Sequence, residues 1–558
     1  MNKFKVILTK DEARNFEIKM EAGSFRQDIS IRQNDVYFRN MDMESSISKH
    51  AIRLRHEIDA NGGESYRMTF TVLSESSSDW AAFSEITSAV DENIYKMIPA
   101  VGFKRLAALA KKRTFYSRPF RMTKDDIAGF GSIIKVYYSD EKNREEAFDF
   151  FRKMGFSRFE ARPNLQIFLE FIKNKTAANK DEGMKKVKTE VFRLLKEKER
   201  IVIGIAGGSG SGKTFISREL LSWLPDAVIF TLDDYYKDRT WINENLNSNF
   251  DDPAAINLDL ACEHLRDLKA GKAIKRPKRS LEKGTVVGYT EVEPSRMLIV
   301  EGIFALHETF ENIYDYSVFI EANLHGKLVR RLMRDIGKTG QDFEGIILQY
   351  VGTVQPMYEK HIEITKNGAN LIINNEFAPF GETYDKIDKF EFKIRSAFNV
   401  PLKKLKEQGA ELVSERHLVD KYYVAPGLNF TESDELLRIR EENGDLTLTY
   451  KGPRKLSFQR PRIDFPINRK FAEVLLYLGY SNAVTSEKRR YKFKIADMPT
   501  LDIVVDEVKN FGTYIEARIP SAEDEKKARN FLRELGVNVD SNSGATYFEE
   551  ILNKTFNV

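Results

Sequence analysis

The stretch Gly207-Gly208-Ser209-Gly210-Ser211-Gly212-Lys213-Thr214 decides the fold of the middle of this chain. It fits the pattern G-x-x-x-x-G-K-[ST] and lies between an apolar run, 201–206, and a helical pattern, 215–224. Glycines let successive backbone N–H groups turn toward one phosphate, and the N-terminus of the following helix adds partial positive charge. Lys213 is placed to reach the β- and γ-phosphates of a nucleotide, and Thr214 to ligate Mg²⁺. The stretch therefore predicts a nucleotide-binding phosphate loop that uses all eight residues; a glycine-rich turn without a ligand is the alternative.

Two further buried strands are predicted to end in acidic residues beside this loop. The run 298–303 carries Glu301, and the run 227–232 is followed directly by Asp233. Because parallel strands present their carboxyl ends at one edge of a sheet, Glu301 is placed to hold Mg²⁺ or its water shell. Asp233 is placed to accept a proton from an attacking hydroxyl, as phosphoryl transfer to an alcohol requires. The alternative for Glu301 is an exposed acid at a strand end.

The order of these and later motifs resembles the uridine kinase branch of the P-loop kinases, which also contains phosphoribulokinase. The landmarks that carry the resemblance are 204–214, Asp233 with Tyr235-Tyr236, Asn249-Phe250-Asp251-Asp252-Pro253, Glu301-Gly302-Ile303, Arg330-Arg331-Leu332-Met333-Arg334-Asp335, Gln349-Tyr350, Val354-Gln355-Pro356-Met357 and Thr365-Lys366. The resemblance implies an enzyme, a phosphotransferase that uses ATP or GTP as phosphate donor, with Mg²⁺, or Mn²⁺ in its place.

The same resemblance implies roles for individual residues of the acceptor side and of the lid. Asp233 is the base on the acceptor 5′-hydroxyl, while Tyr236 and Asp251 hold the nucleoside. Arg330 and Arg334 join the loop lysine as catalytic residues, on a lid helix that faces the transferred phosphate. A planar guanidinium suits that task because it holds phosphate at two points. A solvated helix face is the alternative for these arginines.

Two segments depart from the pattern of the family. Pro277-Lys278-Arg279-Ser280-Leu281 lacks the tyrosine, aspartate and histidine of the usual nucleoside-binding segment. Thr339-Gly340-Gln341 replaces the Arg-Gly-Arg of the lid. Because Lys278 and Arg279 suit an anionic acceptor better than a neutral base, the identity of the acceptor stays open.

Length and composition bound the remaining possibilities. A chain of 558 residues is too long for one hydrophobic core, and about two to four domains are expected. The net charge of +4 is too small and too dispersed for a nucleic-acid-binding face. Cys262 is the single cysteine, which excludes intrachain disulfides and favours the cytoplasm. No apolar run reaches the length of a membrane span and residues 1–18 lack a signal core, so no membrane partner is expected. A homo-oligomer stays open.

Matching motifs on both sides of the kinase-like block predict two copies of one domain. The pairs are 16–19 with 390–393, 35–38 with 420–423, 51–57 with 436–442, 111–114 with 488–491 and 151–155 with 532–536. Their order is preserved, and the offset stays at about 380 residues throughout.

Charged residues recur at every second position of β-like runs in both copies, so acids and bases share one face of a predicted sheet. A solvent-exposed face is one explanation. A closed barrel with such an interior would instead form a polar tunnel for Mg²⁺-bound inorganic polyphosphate. Each copy resembles a CYTH domain, the fold of the triphosphate tunnel metalloenzymes, and the C-terminal copy matches better.

The CYTH resemblance implies a phosphate and metal site in the C-terminal copy. Phosphate would be bound by Lys393, Arg438, Arg440, Lys451, Arg462, Lys488 and Arg490, and metal by Glu391, Asp506 and Glu516. The N-terminal copy keeps Glu17, Lys19, Arg53, Arg55 and Arg113, but it has Thr71 in place of Lys451 and Lys135 in place of Glu516. Because a cation in place of a metal carboxylate repels divalent metal, we predict that this copy is catalytically silent and serves packing, dimerisation or ligand sensing.

The expected fold class is multidomain α/β plus α+β. A central P-loop kinase domain, with a parallel sheet and helices on both faces, would be flanked by two antiparallel β-barrel domains. The expected ranges are 1–175 for the degenerate CYTH-like copy, 176–199 for a linker and helix, 200–380 for the kinase-like domain and 386–558 for the better-preserved copy. Small polar residues predict that 173–186 is a linker.

Three functions compete at this point. The first is a kinase that phosphorylates a hydroxyl of a nucleoside-like acceptor. The second is a metal-dependent tri- or pyrophosphate hydrolase that acts through the C-terminal tunnel, while the P-loop domain binds or senses nucleotide. The third is a non-catalytic regulator that responds to nucleotide or polyphosphate.

Overall fold

The structure is a computed structural model. It describes residues 2–23, 27–40, 50–73, 83–94, 98, 103–160, 162, 164–223, 226–280, 284–339, 343–375, 392–397, 402–425, 434–452, 462–469, 473, 475–476, 478–519 and 525–539. The chain forms two compact units: Met1–Lys327 with Gln349–Glu376, and Leu328–Leu348 with Phe377–Val558.

The first unit begins with a nine-stranded antiparallel sheet in the order β5-β4-β3-β2-β6-β7-β8-β1-β9. The strands are β1 Asn2–Leu8, β2 Gln27–Asn40, β3 His50–Ile58, β4 Glu64–Leu73, β5 Phe83–Val90, β6 Phe103–Tyr116, β7 Met122–Ile127, β8 Gly131–Tyr138 and β9 Phe159–Glu160. The helices are α1 Lys10–Ala22, α2 Glu141–Lys153 and α3 Asn164–Asn174. Phe16 of α1 and Phe151 of α2 are buried with Phe4 and Val6, so these helices cover one face of the sheet. Helix α3 packs with Leu109 in a separate core cluster on the other face.

A six-stranded parallel sheet follows in the order β10-β17-β16-β11-β15-β12. Its strands are β10 Thr176–Ala177, β11 Ile201–Gly207, β12 Val228–Thr231, β15 Met297–Glu301, β16 Tyr316–Glu321 and β17 Leu371–Asn374, and β13 Ile274–Ser280 and β14 Thr285–Val292 form a separate hairpin. The helices are α4 Lys180–Glu197, α5 Lys213–Leu221, α6 Arg239–Leu246 and α7 Leu258–Lys269. Short helical segments lie at Leu232–Tyr235, Pro253–Ala255 and Glu308–Phe310. A continuous helical stretch is made of the segments Tyr350–Val354, Gln355–Met357, Tyr358–Ile362 and Glu363–Asn367.

Alternation along the central strand explains why helices cover both faces of this sheet. Ile201, Ile203 and Ile205 pack with helices α4 and α5, whereas Val202 and Ala206 pack with helix α7. A strand that is apolar on both sides is typical of a parallel sheet buried between helix layers. The prediction of a parallel sheet with helices on both faces is confirmed.

The prediction of a linker at 173–186 is wrong. Thr176 and Ala177 pair in parallel with Ile372 and Ile373 and so extend the six-stranded sheet. Helix α4 begins at Lys180, where the side chain of Asn179 accepts a hydrogen bond from the backbone N–H of Glu182. The small polar residues of this segment are therefore a helix cap and its first turn, because capping residues and linker residues have the same composition.

The second unit contains an eight-stranded antiparallel sheet in the order β18-β25-β24-β23-β19-β20-β21-β22. Its strands are β18 Phe392–Ala397, β19 Ala410–Val424, β20 Leu436–Glu442, β21 Asp445–Lys451, β22 Arg462–Ile467, β23 Ser481–Ile495, β24 Met498–Val508 and β25 Gly512–Ile519. The helices are α8 Leu324–Thr339 and α9 Phe343–Gln349, whose residues 328–339 and 343–348 belong to this unit, together with α10 Leu402–Glu407 and α11 Glu525–Glu534. Leu405 of α10 and Leu532 of α11 pack on the core side of the sheet with Ile503.

The two antiparallel sheets share one strand order, because β5-β4-β3-β2-β6-β7-β8-β1 corresponds position by position to β22-β21-β20-β19-β23-β24-β25-β18. Within the described residues, β18 and β22 each pair with a single neighbouring strand. The closure of each sheet into a barrel therefore stays a prediction.

One of the five repeat matches is wrong. Residues 16–19, including Glu17 and Lys19, lie on helix α1, whereas Lys393 lies on strand β18. The strand that corresponds to β18 is β1. Strand β1 pairs with β8 and strand β18 pairs with β25, and β8 and β25 hold equivalent positions in the two sheets. A short charged motif resembled a strand motif by chance, and tertiary context decides between helix and strand for such a segment.

Candidate functional site

The phosphate loop lies at the carboxyl end of β11, where the strand order of the parallel sheet reverses. Strand β11 pairs with β16 on one side and β15 on the other, and this reversal is the usual ligand-binding position of such sheets. Gly207 has φ +148°, and a Cβ added there would lie 2.3 Å from the carbonyl oxygen of Ile320. A Cβ added at Gly210, which has φ +78°, would lie 2.5 Å from the carbonyl oxygen of Lys327. The loop thus has its shape because glycine alone fits these positions.

Hydrogen bonds within the loop hold it against the start of helix α5. Lys213 donates from Nζ to the carbonyl oxygens of Gly207, at 3.0 Å, and Gly208, at 2.9 Å. The N–H of Ser211 donates to the carbonyl of Gly208, and Nδ2 of Asn375 donates to the carbonyl of Ser211 at 2.7 Å. The lysine amine therefore lies over the loop, within the reach that a bound phosphate requires.

Glu301 and Asp233 lie at the edge of the sheet that carries the loop. Glu301 ends β15 and pairs with Ile205 of β11 and Thr231 of β12. Burial raises the pKa of the Glu301 carboxyl, Lys213 and Thr214 oppose that rise, and the charge of Asp233 adds to it. These influences indicate that Glu301 lies near the loop lysine, Thr214 and Asp233, and its role as a metal ligand stays a prediction.

The donor set at Glu301 fits a hard divalent cation. Its Oε2 atom is buried and accepts no hydrogen bond from any described residue. A carboxylate oxygen buried beside a threonine hydroxyl is a ligand arrangement that Mg²⁺ prefers. Within the described ranges, no three acidic, histidine or cysteine side chains come together as a larger metal cluster.

The two neighbouring aspartates after β12 differ in their surroundings. Asp233 is exposed, and Thr231 accepts a hydrogen bond from its N–H. Asp234 forms an ion pair with Arg276 at 3.3 Å, and burial raises the pKa of its carboxyl despite that pair. Asp233 is therefore the accessible carboxylate at this strand end.

The segment predicted to bind the acceptor lies beside this strand end. Tyr236 follows Asp233 by three residues, and its ring lies 6.0 Å from that of Phe250, the residue before buried Asp251. Arg279 donates to the carbonyl oxygens of Tyr236, Lys237 and Gly284. These bonds use three of the five guanidinium N–H donors and join the hairpin to the main chain, so the expectation that Arg279 favours an anionic acceptor stays a prediction.

A buried charged cluster behind the loop was not predicted from the sequence. The ring of Tyr358 would lie 3.0 Å from a Cβ at Gly208, and Nζ of Lys327 lies 3.5 Å from the centroid of that ring. Burial lowers the pKa of Lys327 to about 8, and Glu363 and other nearby acids oppose the shift. Lys366, the last family landmark, pairs with acids in the same region. Only the Thr365-Lys366 motif pointed to this cluster in the sequence.

The predicted lid arginines lie on helix α8, in the part that belongs to the second unit. Arg330 is half-buried, and burial lowers the pKa of its guanidinium. Arg334 is exposed and pairs with Asp335 at 2.7 Å. The helical prediction is confirmed, whereas their action on a transferred phosphate stays a prediction.

The C-terminal sheet buries a cluster of opposite charges on one face. Arg440 makes two hydrogen bonds to Asp420, of 2.7 and 2.8 Å, and Lys488 lies 2.9 Å from the same carboxylate. Arg490 donates to both carboxylate oxygens of Asp506, at 2.6 and 2.5 Å. Because Asp420 is 0% and Lys488 2% exposed, a solvated charged face is excluded here.

Neighbouring residues complete this cluster. Arg438 donates to Thr449 at 2.7 Å and lies 3.6 Å from Asp420, while Lys451 is half-buried two residues further along β21. Glu516 is buried. Burial and the charge of Glu516 raise the pKa of Asp506, but Lys488 and Arg490 together lower it below its usual value. Glu391 lies outside the described residues, and the side chains of Lys393 and Arg462 do as well. Asp420 is the central acid that sequence reasoning missed, although its match with Asp35 in the repeat was a usable signal.

Two family models match separate parts of the chain. The phosphoribulokinase / uridine kinase family matches residues 202–377, and the CYTH domain matches residues 389–547. Among the described residues no helix is both long and apolar enough to cross a membrane.

Curated relatives divide between the same two groups. A uridine kinase of Geobacillus sp. (strain WCH70) is 36% identical over 208 residues, which cover 36% of this chain and 95% of that kinase. Uridine-cytidine kinase C of Dictyostelium discoideum is 28% identical over 57% of this chain and 71% of its own length. Inorganic pyrophosphatase TTM2 of Arabidopsis thaliana is 32% identical over 52% of this chain, and the match spans 43% of that pyrophosphatase.

The phosphate loop, Asp233 and Glu301 all lie within residues 202–377, the part of the chain that the kinase-family model matches. The chain belongs to the phosphoribulokinase / uridine kinase family, and a CYTH domain follows its kinase-family domain.

Proposed function

We propose that the central domain transfers the γ-phosphate of ATP or GTP to a hydroxyl of a nucleoside-like acceptor. The observation that carries this proposal is the meeting of Lys213, Thr214, Glu301 and Asp233 at one edge of the parallel sheet. Phosphoryl transfer needs positioning and charge neutralisation more than covalent chemistry, and this set of groups supplies both.

Each of these residues has a separate task in the proposed reaction. The backbone N–H groups of 207–212 bind the phosphates, and Lys213 neutralises charge on the terminal pair. Thr214 and Glu301 would hold Mg²⁺, which supplies positive charge between the phosphates. Asp233 accepts the proton of the acceptor hydroxyl, because it is exposed at the end of β12, beside Glu301 and the loop lysine.

The acceptor side supports a nucleoside-like hydroxyl without fixing the base. Tyr236 and Asp251 are the residues we propose to contact it, and Lys278 is exposed on the neighbouring hairpin. Arg330 and Arg334 are proposed to neutralise charge on the transferred phosphate. We also propose that 1–175 is a second, degenerate CYTH-like domain, since its sheet repeats the strand order of the C-terminal sheet.

A second activity is supported by the C-terminal sheet. Its buried basic cluster around Asp420 and Asp506 could hold a linear phosphate chain, with Lys451 at the cluster's edge. The CYTH model matches the residues of this sheet, and a relative named an inorganic pyrophosphatase is 32% identical over 52% of the chain. We propose metal-dependent hydrolysis of tri- or pyrophosphate there, with Glu516 and Glu391 as candidate metal ligands. Asp506 is the weaker candidate, because both of its oxygens already accept hydrogen bonds from Arg490.

Two variants separate these activities in the full-length protein. Lys213→Ala should abolish acceptor-dependent consumption of ATP and leave hydrolysis of tripolyphosphate intact. Arg438→Ala combined with Lys451→Ala should have the opposite effect. The assay measures ADP and orthophosphate across nucleosides, ribose phosphates and inorganic polyphosphates in the presence of Mg²⁺. If neither change alters any turnover, the enzyme proposals fail and a nucleotide- or polyphosphate-responsive regulator takes their place.

A further inference from the structure

Lys327 lies against the back of the phosphate loop. Its carbonyl oxygen would be 2.5 Å from a Cβ added at Gly210, and its Cδ atom 3.1 Å from a Cβ added at Gly208. The ring of Tyr358 approaches the same Gly208 position to 3.0 Å, and Nζ of Lys327 lies 3.5 Å from the centroid of that ring. Because Lys327 is 5% exposed, its ammonium group is held close to two residues that we propose to bind phosphate.

The carboxylates near Lys327 pair with other cations. Glu363 lies 2.7 Å from Arg105 and 3.5 Å from Lys366. Glu321 lies 2.8 Å from the same Lys366. The charges of both acids act on Lys327, whose amine lies over an aromatic ring. The position of Lys327 therefore depends on which cations occupy these acids.

Arg105 brings the N-terminal sheet into this cluster. It lies on β6 and also pairs with Glu359, at 2.9 Å. Two further contacts support the same junction. The side chain of Asn367 donates to the carbonyl oxygen of Ala108, on the same strand, at 3.1 Å, and a Cβ added at Gly129, in the turn between β7 and β8, would overlap the carbonyl oxygen of Asn367. The N-terminal sheet thus packs directly on the helical stretch behind the loop.

The formal charges of the cluster balance while Arg105 is present. Among the described residues, three acids and three bases take part: Glu321, Glu359, Glu363, Arg105, Lys327 and Lys366. Loss of Arg105 would leave an excess negative charge, and the amine of Lys327 would be drawn from the ring toward Glu363. Both changes make the potential at the loop more negative, which disfavours the binding of phosphate.

Lys327 carries its positive charge at neutral pH. Burial lowers its pKa to about 8, and the nearby acids oppose that fall. Ion pairing outweighs burial, so it lowers the pKa of Glu363 and raises that of Lys366, while burial raises the pKa of Tyr358. These three groups therefore keep their charge states while Lys327 titrates. The other charged groups of the described cluster are Glu321, Glu359 and Arg105.

We propose that Lys327 and Arg105 are positioning residues for nucleotide binding. Lys327 supplies positive charge behind the loop, and Arg105 keeps that charge there by occupying Glu359 and Glu363. This role rests on the proposed kinase function. It gives the N-terminal sheet, which lies outside the ranges that the family models match, a part in the binding of nucleotide.

Titration calorimetry of the full-length protein with a non-hydrolysable ATP analogue and Mg²⁺, at neutral pH, tests both residues. Lys327→Met removes the charge but keeps an unbranched stem, and it should weaken binding about 10-fold. Arg105→Gln should weaken binding about 5-fold, and Arg105→Lys should restore part of that loss.

Two matched controls remove a charge of the same sign outside the cluster. Lys360→Met changes an exposed lysine of the same helical stretch, and Arg67→Gln changes a 52% exposed arginine of the N-terminal sheet. Both controls should leave the affinity for the analogue unchanged, because solvent screens exposed charges.

The pH dependence separates an electrostatic role of Lys327 from simple packing. The protonated amine favours the anionic ligand, so the advantage of the parent over Lys327→Met should be lost as the pH rises through the pKa of the lysine. The ratio of the two affinities should fall from about 10 near pH 7 to less than about 2 near pH 9.5. A side chain that only fills space behind the loop would give a ratio that does not change with pH.

Melting curves identify the variants that remain folded, and Arg105→Gln decides the test if Lys327→Met unfolds. Unchanged affinity in the folded variants, or a ratio that is constant with pH, would overturn the proposal while the parent still binds the analogue. Absence of binding to the parent would instead contradict the proposed kinase function together with this role.

Discussion

Arg105 connects the N-terminal sheet to the helical stretch behind the phosphate loop, and its removal should destabilise the first unit. Its guanidinium lies 2.9 Å from a carboxylate oxygen of Glu359 and 2.7 Å from one of Glu363. Glu363 lies 3.5 Å from Lys366, which in turn pairs at 2.8 Å with Glu321 at the end of β16. Replacement of Arg105 by alanine would leave two acids without their partner from the N-terminal sheet.

The magnitude follows from burial. Breaking a fully buried ion pair by removing one partner costs about 3–5 kcal/mol, because the other charge remains buried. Arg105 is 17% and Glu363 12% exposed, so solvent screens part of this effect. We expect a loss of about 1–3 kcal/mol in the free energy of unfolding of the first unit for Arg105→Ala. Arg105→Lys should recover only part of it, because one amine cannot pair with two carboxylates as a fork does.

Thermal melting of the full-length protein measures this loss, which corresponds to a fall of about 2–6 °C in the first transition. The matched control is Arg67→Ala, which removes a 52% exposed arginine that lies 3.8 Å from Glu57 in the same sheet. That change should cost less than about 0.5 kcal/mol. Equal melting temperatures for the two variants would refute the reasoning.

The same pair predicts the direction of a pH effect. Burial alone would raise the pKa of Glu363, but Arg105, Lys366 and Lys327 lower it below its usual value. A carboxyl with a lowered pKa stabilises the folded state above its unfolded pKa of about 4.3, and this stabilisation is lost as the pH falls through the folded value. The difference in stability between parent and Arg105→Ala should therefore shrink below about pH 4. A difference that stays constant with pH would mean that the ion pair is not its cause.

Three further changes test the loop, the metal position and the hairpin. Gly210→Ala would place a Cβ 2.5 Å from a main-chain oxygen, and we expect calorimetry to show at least a 10-fold weaker binding of ATP. The control is Gly155→Ala, where φ is +84° but an added Cβ would have no heavy atom within 4 Å, and this change should leave ATP affinity unchanged. Glu301→Gln should lower acceptor-dependent turnover about 100-fold and raise the Mg²⁺ concentration required, which a titration of Mg²⁺ checks; an unchanged requirement would contradict its role as ligand. Arg279→Lys should raise the KM for the acceptor although the charge is kept, because an amine cannot make all three hydrogen bonds that hold the hairpin to the main chain. Lys278→Ala should leave that KM unchanged. Equal effects of the two changes in steady-state kinetics would favour an anion-binding role for both residues.

The arrangement around the phosphate loop could be predicted because local rules determine it. A buried strand, a glycine-rich turn and a helix N-terminus are consecutive in the sequence, so these local elements fix the positions of Lys213 and Thr214. Glu301 and Asp233 were predictable because each follows a short apolar run, and parallel strands end at one edge. The alternating charges of β20 and β23 likewise indicated a shared face.

Contacts between distant parts of the chain were not predictable. Arg105 and Glu363 lie 258 positions apart, and nothing in the local pattern of either one indicates the other. Asp420 looked like an ordinary residue of an alternating strand, yet it is the acid around which three cations gather. Residues 16–19 and 173–186 were misread because short polar segments have the same composition in helices, caps and linkers.

The most direct test of the account is equilibrium binding of a non-hydrolysable ATP analogue with Mg²⁺ to the full-length protein and to Lys213→Ala. The lysine amine lies over the loop that we propose to bind the terminal phosphates, so it should contribute much of the affinity. The account predicts binding of one analogue per chain by the parent and at least a 100-fold loss in the variant, with melting of the two proteins otherwise alike. Absence of binding to the parent, or equal affinity of the two proteins, would contradict it.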